Sequence, residues 1–100
     1  MLIALVDFTV APENGPAALA TLLAEAPAVR AMAGNLDFRP YLDPVSAGTV
    51  RIFHEWRDAD SFAAYTQSDT FKRSGQVLRP MMTGIPVSRR LNADLLETVA

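Results

Sequence analysis

The chain has 100 residues, half of them apolar, a net charge of −2, one histidine and no cysteine. That length makes a single domain, residues 1–100, with a modest core, since a chain of this size buries only roughly two thirds of its unfolded surface. The composition excludes disulfides, thiolate nucleophiles and Cys- or His-rich metal sites within one subunit, and it gives no electrostatic reason to bind nucleic acid or an anionic membrane.

No apolar run approaches the roughly 20 residues of a membrane span. The opening apolar residues have no basic stretch before them and meet Asp7 at once, so they read as a strand rather than a secretory leader, and the expected location is the cytoplasm. Residues 2–10 alternate as a strand, with Leu2, Ala4, Val6, Phe8 and Val10 on one face and Ile3, Leu5, Asp7 and Thr9 on the other. Both faces begin apolar, which calls for cover on both sides. Pro12 to Gly15 forms a turn, Asn14 or Gly15 caps a helix, and Pro16 suits its first position. Leu19, Leu22, Leu23 and Ala26 are its expected inward stripe. Pro27 is expected to kink or split it, because proline lacks a donor and crowds the preceding turn; a second piece then stops at Gly34.

Residues 35–43 are the second strand, where Leu36, Phe38 and Leu42 alternate with polar residues and Pro40 argues for an edge or a bulge. The loop 43–48 joins it to a third strand, 49–57, on which Val50, Ile52, His54 and Trp56 share one face. Asp58 or Asp60 caps the next helix, which carries Phe62 and Tyr65. A break near Ser68 and Asp69 restarts it, and Phe71, Gly75, Leu78 and Met82 continue its apolar face until Pro80 disturbs the end. Residues 84–92 are the fourth strand, and 93–100 a short tail with some helical character.

The order β-α-β-β-α-β is the ferredoxin-like, split βαβ arrangement of an α+β domain: a four-stranded antiparallel sheet with helices on one face. Ile3, Leu5 and Phe53 then point to the face without helices, and a bare apolar sheet on a small protein implies a partner. A second copy related by two-fold symmetry is the simplest one.

Several stretches together resemble the antibiotic biosynthesis monooxygenase family of dimeric α/β-barrel proteins: Leu5 to Glu13, Gly34-Asn35-Leu36, Phe53 to Asp58, and Ser61 to Phe71. The resemblance implies a homodimer with apposed sheets and a small pocket in each subunit between sheet and helices. Some members oxygenate aromatic polyketides to quinones without metal or flavin, so no cofactor is expected. Others degrade haem, using an axial histidine whose matching position is Gly75, and glycine cannot ligate iron; haem degradation is therefore the weakest reading. This chain also has Tyr65 where members often carry histidine, and His54 where many carry glutamate.

His54 is the only side chain expected to titrate unaided near neutral pH, which makes it a candidate general base or orienting group toward a phenolic substrate. A phenolate is far easier to oxidise than a phenol. Tyr65 is a candidate hydrogen-bond donor. Trp56, Phe62, Phe71, Met81 and Met82 are candidates for an apolar wall, and Asn35 for the pocket mouth. Core packing accounts for each aromatic as well, and a bonded strand histidine accounts for His54. The leading expectation is a cofactor-independent monooxygenase acting on a small aromatic or quinol-like ligand. The alternative is a non-catalytic dimeric module that binds a small apolar ligand or has a structural role. Of Arg89 and Arg90, one must face the covered side of the sheet, where it needs an acidic partner or a ligand carboxylate.

Overall fold

Strict alternation along the strands decides which side of this sheet is covered. In a computed structural model of residues 1–100, strands β1 (Leu2–Thr9), β2 (Asn35–Leu42), β3 (Thr49–Trp56) and β4 (Val87–Asn92) form one antiparallel sheet in the order β2-β3-β1-β4. Helix α1 (Gly15–Arg30) lies between β1 and β2; helices α2 (Ala59–Thr66) and α3 (Asp69–Leu78) lie between β3 and β4. This is the α+β, ferredoxin-like arrangement expected from the element order. The covered face carries Leu2, Ala4 and Phe8 of β1, Phe38 of β2, and all four even-numbered residues from Val50 to Trp56 on β3. Phe38 and Trp56 are among the largest fully buried side chains. Burying an aliphatic or aromatic side chain of this kind stabilises the fold by about 1.5–3 kcal/mol.

Helix α1 departs from its expected form in two ways. Its inward stripe is Gly15, Ala18, Leu22, Ala26 and Val29, whereas Leu19 is only partly buried and Leu23 is half exposed. Small residues at 15, 18 and 26 let the helix sit close to the sheet, so its apolar face is narrower and rotated from the leucine-rich one. The helix also runs unbroken through Pro27, because Pro27 lies on the exposed side, where solvent can satisfy the carbonyl that loses its donor. It ends at Arg30, and Gly34 instead takes a left-handed turn into β2 (φ 81°).

Strand β2 is an edge strand, as Pro40 requires, with a register shift between Asn35 and Asp37. The shift turns Leu36 outward, 55% exposed. The second helical segment breaks at Ser68, whose hydroxyl accepts from Phe71 N–H and caps α3, just as Asp58 accepts from Ser61 N–H and caps α2. Pro80 sits in a 3-10 turn, Arg79–Met81. Strand β4 begins at Val87, later than expected, and residues 93–100 have no regular secondary structure. Every residue of β4 is exposed, so one edge of the sheet has little cover on either face.

The face without helices carries Ile3, Leu5 and Phe53 together with Arg51, which bridges Asp7 and Asp43 at 2.7 Å each. Asp7 is thus engaged by β3. These pairs are partly solvated and fix geometry more than they add stability.

Gly34 accepts a hydrogen bond from Arg57 N–H at 2.7 Å, and a Cβ there would overlap the Ser61 side chain at the start of α2. Gly34→Ala therefore combines left-handed strain with a clash. We expect it to lower unfolding stability by at least about 2 kcal/mol in a denaturant titration.

Candidate functional site

Antiparallel pairing places residues in rows across the covered face. Phe38, His54, Ala4 and Arg90 form one row, and Pro40, Ile52, Val6 and Ser88 the next. Side chains are bulky on the β2 and β3 side and small at Ala4 and Ser88, so packing against the helices leaves unfilled space toward β4. A partly open cavity of about 250 Å³ occupies it, with Ser88 and Arg90 of β4 among its lining. Val6, Phe8, Ile52 and His54 form its floor; Phe62, Tyr65 and Thr66 of α2 and Phe71, Ser74 and Leu78 of α3 form its roof. Arg79, Met82, Ser88 and Arg90 line it as well.

His54 is 2% exposed and lies among four aromatic rings, Phe38, Trp56, Phe62 and Tyr65, with ring centroids 5.5–6.2 Å away. The Trp56 indole Nε1–H donates to His54 Nδ1 at 2.8 Å. An indole nitrogen can only donate, so His54 Nδ1 is an acceptor and the neutral ring carries its proton on Nε2. Nε2 is buried and has no protein partner. Burial, and secondly the nearby Arg90 charge, push the His54 pKa down to about 4. At neutral pH the ring is therefore uncharged and offers an N–H donor. The general-base role expected for His54 does not fit this arrangement, because the lone pair that would take a proton is turned toward Trp56.

Tyr65 stacks on Trp56 (centroids 5.1 Å apart, planes at 24°) and meets Phe71 edge-on at 5.3 Å. Burial, and secondly the Glu25 charge, push its phenol up to about 12, so it too remains a protonated donor. Of the other sequence candidates, Phe62, Phe71 and Met82 line the cavity. Trp56 is fully buried behind His54 and acts on the site through it. Met81 is not part of the lining. Asn35 donates to the Asp37 carbonyl at 3.1 Å and the Glu55 carbonyl at 3.5 Å, so it holds the β2 irregularity rather than the pocket mouth.

Sequence reasoning left Arg79 unassigned and did not say which of Arg89 and Arg90 turns to the covered side. Arg90 faces the covered side of the sheet, its guanidinium 4.9 Å from the centroid of the Phe62 ring. The alternation of β4 contained that signal. Arg79 follows α3, and its guanidinium lies over Gly75, about 3.5 Å from where a Cβ would be. Only a structure shows that contact. No group of three His, Cys, Asp or Glu side chains is placed to hold a metal ion. No helix is long and apolar enough to cross a membrane.

In sequence, residues 1–76 match the model of the antibiotic biosynthesis monooxygenase family. No curated protein matches the chain. Solved structures are similar over nearly its whole length. One, from Deinococcus radiodurans and proposed to be an antibiotic biosynthesis monooxygenase, is 16% identical, with a TM-score of 0.89 and coverage of 100% of this chain and 99% of that one. Another of the same description, from Caulobacter crescentus, is 21% identical, with a TM-score of 0.88 and coverage of 94% and 90%. Rv0793 of Mycobacterium tuberculosis is 19% identical, with a TM-score of 0.84 and coverage of 98% of each chain. Likeness at these identities is evidence for the fold alone.

The depressed His54 pKa has a consequence for stability. The unfolded chain takes up a proton near the ordinary histidine value of 6.5 while the native protein resists until about 4. Stability is thus complete above 6.5 and falls as the pH drops toward 4, by about 3 kcal/mol from this group. Denaturant titrations across that range are expected to show a shallower fall for His54→Gln than for the parent chain.

Proposed function

The chain belongs to the antibiotic biosynthesis monooxygenase family, and from that premise we propose that it oxygenates a small phenolic or quinol-like aromatic bound in the cavity between sheet and helices. One observation carries the reading: a buried, neutral His54 whose Nε2–H lacks a protein partner lines a cavity with aromatic walls. A buried donor without a partner costs about 1–3 kcal/mol, and a substrate oxygen accepting from it relieves that cost.

In this scheme His54 Nε2–H donates to the substrate oxygen, and Tyr65 supplies a second protonated donor. Phe62 and Phe71 wall the ring. Trp56 holds the His54 tautomer. The nearby Arg90 charge favours ionisation of a bound phenol, which lets the substrate lose its proton to solvent without a protein base. Conversion of a phenol to a quinone balances without an external reductant. The substrate supplies all four electrons, one atom of O2 becomes the new carbonyl oxygen, and the other leaves as water with two hydrogens from the substrate.

The test is oxygen consumption with a panel of naphthols and dihydroxynaphthalenes. With isotopically labelled O2, one labelled atom is expected in the quinone. His54→Leu, which leaves no donor at that position and has its fold verified by circular dichroism, is expected to lower kcat by about a hundredfold, the scale of removing one preorganised donor to a developing oxyanion. A ligand-dependent rise in Tm with no oxygen uptake would instead favour the non-catalytic binding module.

We also propose that the face carrying Ile3, Leu5 and Phe53 packs against a second copy of the chain. These apolar side chains lie beside the exposed Val87 and Leu91 of β4. Sedimentation at micromolar concentration is expected to give twice the chain mass, and Phe53→Asp to shift it toward one. A monomeric parent chain would end this reading.

A further inference from the structure

The residues around the cavity are charged in one sense only. Arg79 and Arg90 line it, and the lining includes no aspartate or glutamate. Neither arginine belongs to any of the protein's ion pairs, which engage Arg39, Arg51 and Arg57 instead. Both guanidiniums are held by contacts other than an acid. Arg90 lies over the Phe62 ring and donates through Nε to Ser88 Oγ at 3.3 Å. Arg79 rests over Gly75, where the missing side chain leaves room for it. Register ties the first of them to the donor on the floor: His54 and Arg90 flank Ala4 on the same face, one on each neighbouring strand, and both line the cavity.

We propose that the ligand of this cavity is an aromatic anion, a ring system bearing a carboxylate, with the ring against Phe62, Tyr65 and Phe71 and the carboxylate engaged by Arg90 and Arg79. The inference rests on the aromatic-substrate reading above and narrows its substrate class. A guanidinium is weakly hydrated, always charged and matched to a carboxylate in two-point geometry, so at the edge of an apolar cavity it discriminates by charge as well as by shape. The volume of about 250 Å³ falls below the roughly 300–1,000 Å³ of sites for drug-sized ligands, which limits the ring system to one or two fused rings inside the cavity. A cationic analogue meets two positive charges and no acceptor of its own charge.

The probes are 2-naphthoate, its uncharged amide 2-naphthamide, and the cation 2-naphthylmethylammonium. Binding to the full chain is followed by isothermal titration calorimetry at neutral pH. The carboxylate is expected to bind at least about tenfold more tightly than the amide, and the ammonium not at all. Arg90→Gln and Arg79→Gln are expected to erase or reduce that preference while amide binding persists, a result that a misfolded variant would not give. Arg89→Gln removes the same charge from the opposite face of β4 and is expected to leave the preference intact. Equal affinity for carboxylate and amide would overturn the inference and leave the aromatic pocket standing. An effect of Arg89→Gln as large as that of Arg90→Gln would overturn it in favour of a general field. Binding of none of the three would overturn both the inference and the aromatic-substrate reading.

Discussion

The hydrogen bond from the Trp56 indole to His54 Nδ1 is the interaction on which both the core and the site depend. Trp56 is fully buried, and a buried indole N–H needs an acceptor. Two residues apart on one strand, the two side chains point the same way, so the nearest acceptor comes from the strand itself. Satisfying the tryptophan fixes the histidine tautomer, and the tautomer decides what the cavity meets: a donor rather than a base. Tyr65, stacked on the other member of the pair, is held by the same cluster. Packing and chemistry are here one constraint, since no change at Trp56 can leave His54 untouched.

The cavity itself follows from where bulk is placed in the sheet. Rows that begin with Phe38 and His54 end with Ala4 and a strand lacking cover. Helix α1 approaches closely through Gly15, Ala18 and Ala26, which closes the β2 side. Helices α2 and α3 roof the other side, joined at a sharp break capped by Ser68. Unfilled apolar space costs packing energy, because the lining loses contact partners on one side. In a domain with so little interior, a void of this size bordered by two neutral donors, His54 and Tyr65, and two unpaired cations fits occupancy by a ligand better than it fits a fault of packing.

Much of this was legible from residue order. The strands, the edge or bulged character of β2, a cap at Asp58 or Asp60, the break near Ser68 and the shared face of His54 and Trp56 all follow from local rules, because alternation and capping act over a few residues. The inward face of α1 was not, because leucine content suggested one face while close approach to the sheet selected small residues. Pro27 misled for a related reason: the cost of a lost hydrogen bond depends on whether solvent can reach the carbonyl, which sequence does not show. In the site, His54, Tyr65, Phe62, Phe71 and Met82 were candidates by residue type, the pocket itself was implied by family resemblance, and all five line the cavity. Asn35 and Met81 were not brought there, and Trp56 stands one layer behind. Sequence identified an imidazole that could act as a base. Which nitrogen is free depends on a side-chain contact that no pattern encodes.

That distinction also bears on why His54 should be a histidine at all. A purely structural residue there needs only to accept from the indole, and a glutamine carbonyl could do so. Histidine accepts on one edge and necessarily presents a donor on the other, in a setting where burial holds it uncharged. A solvent molecule can meet that donor, but a ligand oxygen does so while also filling the apolar space around it, and the gain from displacing water is largest where the walls are aromatic. The same rigid ring thus couples the buried tryptophan to whatever oxygen enters the cavity. With Arg90 beside it, the pair presents one neutral donor and one cation to an incoming anion, an arrangement suited to binding an ionised oxygen and unsuited to removing a proton. In the proposed reaction the proton chemistry is then left to the substrate and the solvent, and the protein's contribution is to select, orient and desolvate the ionised form.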